Sequence, residues 1–584
     1  MRDVKSRTFV NVFLLDLTVL LFSIIAAGNV EGQETPIFDP QDIFHPTVSK
    51  NGMVSTEERF ATEAGLRILK EGGNAVDAAV TIAFTLAVTL PRAGNIGGGG
   101  FMLIHLAKSN RTIAIDYREK SPKGATRDIF LDKSGTVDAE KSTHSYLAVG
   151  VPGTVAGLTM ALKKYGTISL ERALQPAIQL AEDGFPINQD LQSSLIESQE
   201  WMKSSPDSMA IFFKKGHVPY DVGEILLQKD LAWSLKQIAK YGAYAFYKGE
   251  IADRIVAAMK ANGGLISKQD LAAYKAVIRK PIHGTYRGYD IYSMPPPSSG
   301  GVILVEILNL LEPFPISTLG HNTAQTIHLM AESMKLAYAD RSKYLGDPDF
   351  IKVPTLSLIS KRYADELRRK INSNKATPSL EIFPGDPVKF EKSRDTTHFS
   401  IMDKYGNAVS NTYTLNLRYG TGFTVPATGI LLNDEMDDFS AKPGAPNTYG
   451  LVGGDYNAIA PEKRMLSSMA PTIVMKDGKP FLVTGSPGGS HIITTILQVI
   501  MNVIDHGMNI AAATNAVRIH HQWLPNELRI EKGLNGDTIR LLIEKGHKIV
   551  VQDAMGSTES IMRVGNFFYG ASDPRTPSAL TLGY

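Results

Sequence analysis

The sequence R-D-T-T-H-F-S spans Arg394 to Ser400, and the rest of the chain is best interpreted outward from it. Two adjacent threonines stand between an acidic residue and an apolar strand start, well past the middle of the chain. A threonine hydroxyl is a weak nucleophile unless a base lies beside it, and the threonine's own α-amino group is such a base once the chain is cut before it. The stretch therefore raises the hypothesis that the protein itself breaks the bond between Asp395 and Thr396.

Composition sets broad limits on the function. The chain has 584 residues, of which 43% are hydrophobic and 21% charged, and these values are typical of a globular protein with a large core. Lys and Arg number 61 against 59 Asp and Glu, and a net charge of +2 gives no basis for binding nucleic acid. The absence of cysteine from the sequence excludes disulfides, thiolate metal sites and a cysteine nucleophile.

The N-terminus has the pattern of an export signal. Arg2, Lys5 and Arg7 precede an apolar run from about Val10 to Ala27, and small residues follow near Gly28. This pattern predicts a signal peptide at 1–28 and an exported protein, periplasmic or secreted. An uncleaved membrane anchor is the alternative. No later run looks long and apolar enough to span a membrane, so we expect no membrane contact beyond this segment.

The first half of the chain mixes helices with a few strands. Ser55 and Thr56, followed by two glutamates, predict a helix start, and Asn74 predicts the cap of a buried helix to Leu90. The segment A-G-N-I-G-G-G-G-F precedes a strand, but no G-K-[ST] follows it, so close backbone packing is favoured over a phosphate loop. A further strand ends at Arg118, which could bind a carboxylate through both guanidinium nitrogens or form a structural ion pair.

The middle of the chain reads as mostly helical. Residues from Gly150 to about Gly320 carry helical patterns, and longer helices are predicted at His321 to Tyr344 and at Leu356 to Ile371. Asn372 to Arg394 contains prolines, polar residues and mixed charges, which are typical of a linker.

Residue types that suit catalysis or ligand binding are concentrated after Thr396. A strand from Thr397 to Met402 returns as Ala408 to Asn416, and a Pro/Gly-rich loop from Pro443 to Gly454 has the composition of a mobile flap. A later strand ends in G-S-P-G-G-S, Gly485 to Ser490, and leads into a helix. Free backbone N–H groups at such a junction can stabilise an oxyanion, although a tight turn without a ligand has the same pattern.

Seven segments occur in order along the chain and read A-G-N-I-G-G-G-G-F, Y-R-E-K-S-P, D-T-T-H-F-S, N-T-Y-T-L-N, N-D-E-M-D-D-F-S, R-M-L-S-S-M-A-P-T and T-G-S-P-G-G-S. Together they resemble the γ-glutamyltransferase family (γ-glutamyl transpeptidases), especially its bacterial exported members. The resemblance extends from about Phe60 to Tyr584. It implies an α+β fold, the four-layer αββα sandwich of the N-terminal-nucleophile (Ntn) hydrolases.

The resemblance also implies self-processing and a reaction. Cleavage before Thr396 would give a large subunit, 29–395, and a small subunit, 396–584, which stay together as one globular unit. The implied activity moves the γ-glutamyl group of glutathione, or of other γ-glutamyl compounds, to water, amino acids or peptides. No metal or organic cofactor is implied.

Site residues follow from the resemblance, position by position. Their implied roles are the nucleophile, Thr396; its hydrogen-bonding partner, Thr414; the oxyanion hole, Gly488 and Gly489; the clamp for the α-carboxylate, Arg118, Ser467 and Ser468; the groups that hold the α-amino end, Asn416, Glu435 and Asp438; and the flap residue, Tyr449. The residue types fit these roles, because a free amino acid head needs both a bidentate cation and anions. His491 departs from the arginine expected in close relatives.

Two alternatives to a γ-glutamyltransferase stay open at this stage. A related Ntn amidase or acylase could use the same threonine on glutaryl or other acyl amides. The complete flap argues against family branches that act on bulky acylated antibiotics. A non-catalytic binding protein is the second alternative, and it predicts that the set of site residues is broken, whereas every member is present.

Overall fold

Two seven-stranded antiparallel β-sheets lie face to face at the centre of the protein. The computed structural model describes residues 42–387 and 397–584. The predicted signal peptide at 1–28 and the predicted cleavage site at Asp395 and Thr396 therefore lie outside the described residues. The described residues from Phe44 onward form one compact unit.

The first sheet contains the strand that follows the two threonines. Its order is β21 (Leu580–Gly583), β2 (Gly52–Thr56), β10 (Thr397–Asp403), β11 (Ala408–Thr414), β3 (Gly99–Leu106), β4 (Arg111–Tyr117) and β7 (Val277–Arg279). Alternate residues face opposite layers, as strand geometry requires. Phe101 and Leu103 point into the core between the sheets, whereas Met102 and Ile104 join the core on the helix side.

The second sheet is built from both halves of the chain. Its order is β1 (Thr47–Ser49), β20 (Phe567–Ser572), β19 (Glu559–Val564), β15 (Lys479–Thr484), β14 (Thr472–Lys476), β9 (Tyr289–Ser293) and β8 (Ile282–Tyr286). Ile473, Val483 and Ile561 contribute to the core between the sheets. Small pairings are made by β5 (Phe185–Pro186), β6 (Ile225–Leu226), β12 (Thr424–Val425), β13 (Ile430–Leu431), β16 (Ile519–His520), β17 (Leu528–Glu531) and β18 (Ile549–Gln552).

Helices cover the outer face of the first sheet. They are α1 (Arg59–Lys70), α2 (Ala75–Thr89), α3 (Ala139–Thr143), α4 (Thr154–Tyr165), α5 (Leu170–Asp183), α6 (Gln189–Met202), α7 (Pro206–Phe212), α8 (Lys229–Tyr241), α9 (Ala243–Tyr247), α10 (Glu250–Ala261) and α11 (Lys268–Ala273). Of these, α1, α2 and α4 contact the sheet directly, and others pack behind them. Helix α2 is buried along its whole length, as its apolar sequence predicts.

A second helical layer covers the outer face of the second sheet. It contains α12 (Gly300–Leu311), α13 (Ile316–Leu319), α14 (Ala324–Tyr344), α15 (Thr355–Leu358), α16 (Lys361–Arg368), α17 (His491–Ile504), α18 (Ile510–Asn515) and α19 (Gly536–Glu544). Helices α12 and α18 contact the sheet, while α14 and α17 pack against α12. The order helix, sheet, sheet, helix confirms the predicted α+β four-layer sandwich. None of the helices in the described ranges combines the length and apolar character that a membrane span requires.

Two helix predictions were wrong in their details. Ser55 and Thr56 belong to β2, because pairing with β10 and β21 holds them in the sheet, and Glu58 caps α1 instead. The long helix predicted from Leu356 to Ile371 is broken into α15 and α16. The break occurs at Ser360, whose hydroxyl accepts a hydrogen bond from Tyr363 N and so begins a new helix.

Candidate active site

Arg118 follows the last residue of β4 and is fully buried. Its guanidinium forms ion pairs with Glu435 and, at 2.5 Å, with Asp438 Oδ2, and Glu119 Oε2 lies 3.6 Å from Nη1. All four side chains have no solvent exposure. We call Arg118, Glu119, Glu435 and Asp438 the charge cluster. The structure thus pairs the predicted carboxylate clamp directly with the predicted amine-binding acids.

The charge cluster holds more acidic groups than basic ones. Burial raises the pKa of Glu435 well above its ordinary value, and burial likewise raises the pKa of Glu119 to about 7. The Glu119 and Glu435 carboxyl groups contact each other, so one of them can donate a proton to the other. Apart from this pair, no other described residue donates a hydrogen bond to Glu435 Oε2 or to the carboxyl oxygens of Glu119. A buried acceptor without a donor is costly, so the cluster is suited to a shared proton or to the ammonium group of a ligand.

The predicted serine pair lies beside this cluster. Arg118 Nη2 donates to the carbonyl oxygen of Leu466 at 3.5 Å, and Ser467 and Ser468 follow directly. Ser467 Oγ accepts from Met469 N at 3.1 Å, and both serines are buried. The pair is therefore held next to the guanidinium by the backbone of its own segment.

Thr414 and Asn416 lie where β11 ends. The predicted strand runs to Asn416, but the observed one stops at Thr414, because Asn416 has a φ of 80° in the left-handed region. Thr414 Oγ1 accepts from Asn416 N at 2.8 Å, and Asn416 Nδ2 donates to Asp434 Oδ2 at 2.9 Å. Asn416 Oδ1 is buried and accepts no hydrogen bond from the described residues. Asn416 thus offers a second acceptor that awaits a donor.

Gly488 and Gly489 form the loop between β15 and α17. Their φ values are 122° and 62°, a region that favours glycine. A Cβ atom on Gly489 would lie 2.8 Å from Cδ1 of Tyr449, so the ring and the backbone are in close contact. Neither amide N–H donates a hydrogen bond to another described residue. Two amide donors at a helix start match an oxyanion hole.

The flap, Pro443 to Gly454, carries Tyr449 to these glycines. Gly444 N donates to the carbonyl oxygen of Gly453 at 3.0 Å and closes the base of the loop. Tyr449 Oη donates to the carbonyl oxygen of Asn416 at 2.9 Å. One flap residue therefore contacts both the predicted oxyanion hole and the predicted amine-binding residue.

A cavity of about 630 Å³ opens at this point. Its lining includes the predicted site residues Thr414, Asn416, Tyr449, Gly488 and Gly489. Charged residues lie on the remaining wall, where Arg92 pairs with Asp190 at 2.5 Å and with Glu57 at 3.7 Å. The volume falls in the usual range for small-molecule sites, roughly 300–1,000 Å³.

The described site residues thus form two linked groups. Arg118, Glu435 and Asp438 make up one group with the serine pair, and the cavity residues make up the other. Asn416 joins them through Asp434, the neighbour of Glu435. Asp395 and Thr396 lie outside the described residues and stay predictions.

Three residues of the site were not predicted. Glu119 and Asp434 each adjoin a predicted residue, so their acidic character within Y-R-E and N-D-E was the available signal. Arg341 on α14 donates to Ser468 Oγ at 3.3 Å, and nothing in the sequence pointed to this contact. Only the packing of α14 behind α12 brings it to the serine pair.

His491 is the first residue of α17 and borders the cavity. Its Nδ1 donates to the carbonyl oxygen of Gly488 at 2.9 Å, so the other ring nitrogen carries no proton in the neutral form. Burial lowers the pKa of His491 to about 4. The residue is therefore neutral at pH 7, and it leaves this helix start less positive than an arginine would.

Comparison with known proteins places this arrangement in a family. The family model described as gamma-glutamyltranspeptidase matches residues 61–582. The glutathione hydrolase proenzyme of Escherichia coli (strain K12) is 57% identical over 547 residues, covering 93% of this chain and 94% of that protein.

Solved structures agree with the family match. The crystal structure of cephalosporin acylase from Bacillus halodurans has a TM-score of 0.81 at 29% identity and covers 94% of this chain and 99% of that one. The crystal structure of Helicobacter pylori gamma-glutamyltranspeptidase has a TM-score of 0.56 at 50% identity, covering 57% of this chain and 96% of that one. With a matching family model over nearly its whole length and these relatives, the chain belongs to the γ-glutamyltranspeptidase family of Ntn hydrolases, as its sequence motifs predict.

Proposed function

We propose that the protein is a self-processing γ-glutamyltransferase that cleaves glutathione and its conjugates and transfers the γ-glutamyl group to water, amino acids or peptides. One observation carries the proposal. Tyr449 contacts Gly489 through its ring and the Asn416 carbonyl through its hydroxyl, so the predicted oxyanion hole and one of the predicted amine-binding residues meet at one cavity. Asn416 in turn connects this cavity to the charge cluster through Asp434.

The charge cluster is the proposed binding site for the amino acid head of the substrate. The α-carboxylate binds Arg118 and the serine pair, and replaces one of the acids on the guanidinium. The α-ammonium group binds Asp438, Glu435 and Asn416. Two of the acceptor atoms, Glu435 Oε2 and Asn416 Oδ1, have no hydrogen-bond donor among the other described residues. A zwitterion therefore satisfies both signs of buried charge, which an uncharged acyl chain cannot do.

Thr396 is the proposed nucleophile. In sequence it directly precedes β10, whose first residue, Thr397, pairs with Tyr413 next to Thr414. Its hydroxyl attacks the γ-carbonyl carbon, and its freed α-amine accepts the hydroxyl proton. The amide N–H groups of Gly488 and Gly489 stabilise the oxyanion, and that proton then passes to the departing amine. Water or an acceptor amine cleaves the resulting ester in the same way.

The precursor and its export are part of the same proposal. Cleavage before Thr396 frees the α-amine and divides the chain into a large subunit, 29–395, and a small subunit, 396–584. Each sheet contains strands from both segments, and some of them pair directly, for example β2 with β10, which supports continued association after cleavage. The pattern at 1–28 supports export, to the periplasm or outside the cell.

A matched pair of threonine substitutions tests the proposal. Thr396→Ala should leave one uncut chain on a denaturing gel and abolish release from γ-glutamyl-p-nitroanilide. Thr397→Ala, at the neighbouring position, should still give two fragments that separate at Thr396, as intact masses will show. An uncut wild-type protein that is nevertheless active would overturn the proposal.

An Ntn acylase is the second candidate, because the cephalosporin acylase fold matches 94% of this chain. It predicts turnover of glutaryl-p-nitroanilide, which lacks the α-amino group. We expect strong preference for the γ-glutamyl compound, since Asn416 Oδ1 and Glu435 Oε2 need an ammonium donor. Preference for the glutaryl compound would favour the acylase and contradict the role given to the charge cluster.

A further inference from the structure

A buried group of potential metal ligands lies apart from the candidate active site. His328 and Glu332 are four residues apart on α14, on one face of the helix, and His547 lies between α19 and β18. One ligand atom from each side chain lies within 4.8 Å of the other two, and all three residues are buried. Within the described ranges, no other set of His, Asp and Glu side chains meets this geometry.

One ring is already oriented as a ligand. His328 Nε2 donates to the carbonyl oxygen of Asn372 at 2.7 Å, and since a carbonyl can only accept, the proton of the neutral ring is on Nε2. The lone pair of Nδ1 therefore faces His547 Nε2, which lies 2.8 Å away. Metal-binding histidines are usually oriented by this kind of hydrogen bond from the other ring nitrogen.

The remaining two groups must adjust to bind a metal ion. Two imidazole nitrogens on one tetrahedral zinc ion lie roughly 3.3 Å apart, so the rings would separate by about 0.5 Å. A neutral His547 presents the Nε2 lone pair once its proton is on Nδ1. The Glu332 carboxylate is held by the backbone N–H of Thr377, 3.2 Å from Oε2.

We propose that His328, Glu332 and His547 bind one divalent transition-metal ion of the zinc type, with water as a fourth ligand. Two imidazoles and a carboxylate suit zinc, and they also accept cobalt or nickel as probes. The site is not connected to the chemistry proposed for Thr396.

The location of the site indicates a structural role. Helix α14 and the segment around Asn372 precede the proposed cleavage position, whereas His547 follows it. The same segments already meet through the Ala376 N–H, which donates to the carbonyl oxygen of Lys545 at 2.7 Å. The metal therefore joins the two subunits, and this joining role, unlike metal binding itself, rests on the proposed self-cleavage.

Lys335 opposes the binding of a cation. Its ammonium group pairs with Glu332 and donates to the carbonyl oxygen of Thr377 at 2.6 Å. It therefore competes with the metal for the carboxylate. Lys335→Met should tighten metal binding, which a nonspecific surface site would not reproduce.

Metal titrations of the full protein test the proposal. We expect zinc at a hundredfold excess over its Kd to raise the Tm of wild type by about 2 °C, and cobalt to give a visible absorption band. Both effects should disappear in His547→Gln and in Glu332→Gln, with hydrolysis of γ-glutamyl-p-nitroanilide unchanged. The matched control is His506→Gln, because the His506 ring lies 5.3 Å from that of His321 in a pair outside the proposed site.

Two results would overturn the metal site. One is the absence of any metal-dependent change in wild type, and the other is an equal change in His547→Gln, which indicates surface binding. The titrations are repeated on uncut Thr396→Ala, where we expect the same metal response. Failure of self-cleavage in wild type is seen separately on the gel, so it cannot be mistaken for failure to bind metal.

Discussion

The charge cluster and the flap border the same site, yet they are held in place by different means. The four charged side chains of the cluster have no solvent exposure, and Arg118 is paired with acids on two sides. The flap is only partly buried, and it is tied to the site by separate hydrogen bonds. Tyr449 Oη donates to the Asn416 carbonyl at 2.9 Å, and Asn447 Nδ2 donates to Asp438 Oδ1 at 3.4 Å. The cluster is thus preorganised by buried ion pairs, whereas the flap is held by hydrogen bonds in a partly exposed segment.

This difference indicates that the charge cluster recognises the substrate, whereas the flap opens and closes over it. Buried charges lose little freedom when a ligand arrives, so the cluster can discriminate by charge and geometry. A partly exposed loop held by separate hydrogen bonds can open and close more easily than a buried cluster can rearrange, which suits entry of the donor and departure of the product. We therefore expect substitutions in the cluster to act mainly through substrate affinity and those at the flap to act more mildly.

The largest effect is expected for Arg118→Lys. Lysine keeps the charge but loses the planar fork, and the loss of two charge-assisted hydrogen bonds should lower kcat/KM for γ-glutamyl-p-nitroanilide by about a hundredfold or more. The matched control is Arg111→Lys at the exposed first position of the same strand, which should change nothing. A decrease of less than threefold in Arg118→Lys would contradict preorganised recognition.

Gly489→Ala should come next, with a loss of about tenfold to a hundredfold in kcat. The new Cβ would lie 2.8 Å from Cδ1 of Tyr449, and alanine disfavours the φ of 62° at this position. Both effects should move the Gly489 amide N–H, which is one of the predicted oxyanion donors. Gly507→Ala is an exact backbone control, because Gly507 also has a φ of 62° but nothing within 4 Å of its Cβ position. Equal losses of kcat in Gly489→Ala and Gly507→Ala would show that backbone strain, rather than the contact with Tyr449, causes the effect.

Tyr449→Phe tests the flap by itself and should cost about fivefold in kcat/KM. The ring contact with Gly489 stays, and the hydrogen bond to the Asn416 carbonyl is lost, which typically contributes about 1 kcal/mol. Steady-state kinetics with one donor substrate will measure this change in kcat/KM. A hundredfold loss would show instead that the flap is as tightly coupled to the chemistry as the charge cluster.

The smallest expected effect is a pH dependence of head-group binding. Burial raises the pKa of Glu119 to about 7, so this carboxyl is neutral below pH 7 and negative above it. Negative charge near the ligand's ammonium group favours binding, so the inhibition constant of L-glutamate should rise about threefold from pH 8 to pH 6. Glu119→Gln should remove this slope, and glutarate, which has no ammonium group, should not show it. A glutamate constant that falls over the same range would contradict the assignment.

Local sequence patterns predicted much of the fold and the parts of the site that depend on neighbouring residues. Asn74 caps α2 as predicted, and the glycines before α17 adopt the positive φ values that only glycine accepts readily. The helix start predicted at Ser55 and Thr56 was wrong, because pairing with neighbouring strands outweighs the local helix-start pattern. Arg341 could not be assigned, because its contact with Ser468 depends on segments far apart in the chain. Glu119 was missed although it adjoins Arg118, because only the fold brings it close to Glu435.

The sequence by itself determined the family and the α+β sandwich, and it predicted the groups that an amino acid head and a threonine nucleophile require. Each of its motifs is short and consists of adjacent residues, so it can be recognised without knowledge of the fold. Only the tertiary structure decided that Arg118 is paired with Glu435 and Asp438, that Asn416 lacks a described donor at Oδ1, and that His328 meets His547. These facts arise where distant segments are packed together, because burial and distance, rather than residue type alone, determine which charges are paired and which acceptors still need a partner.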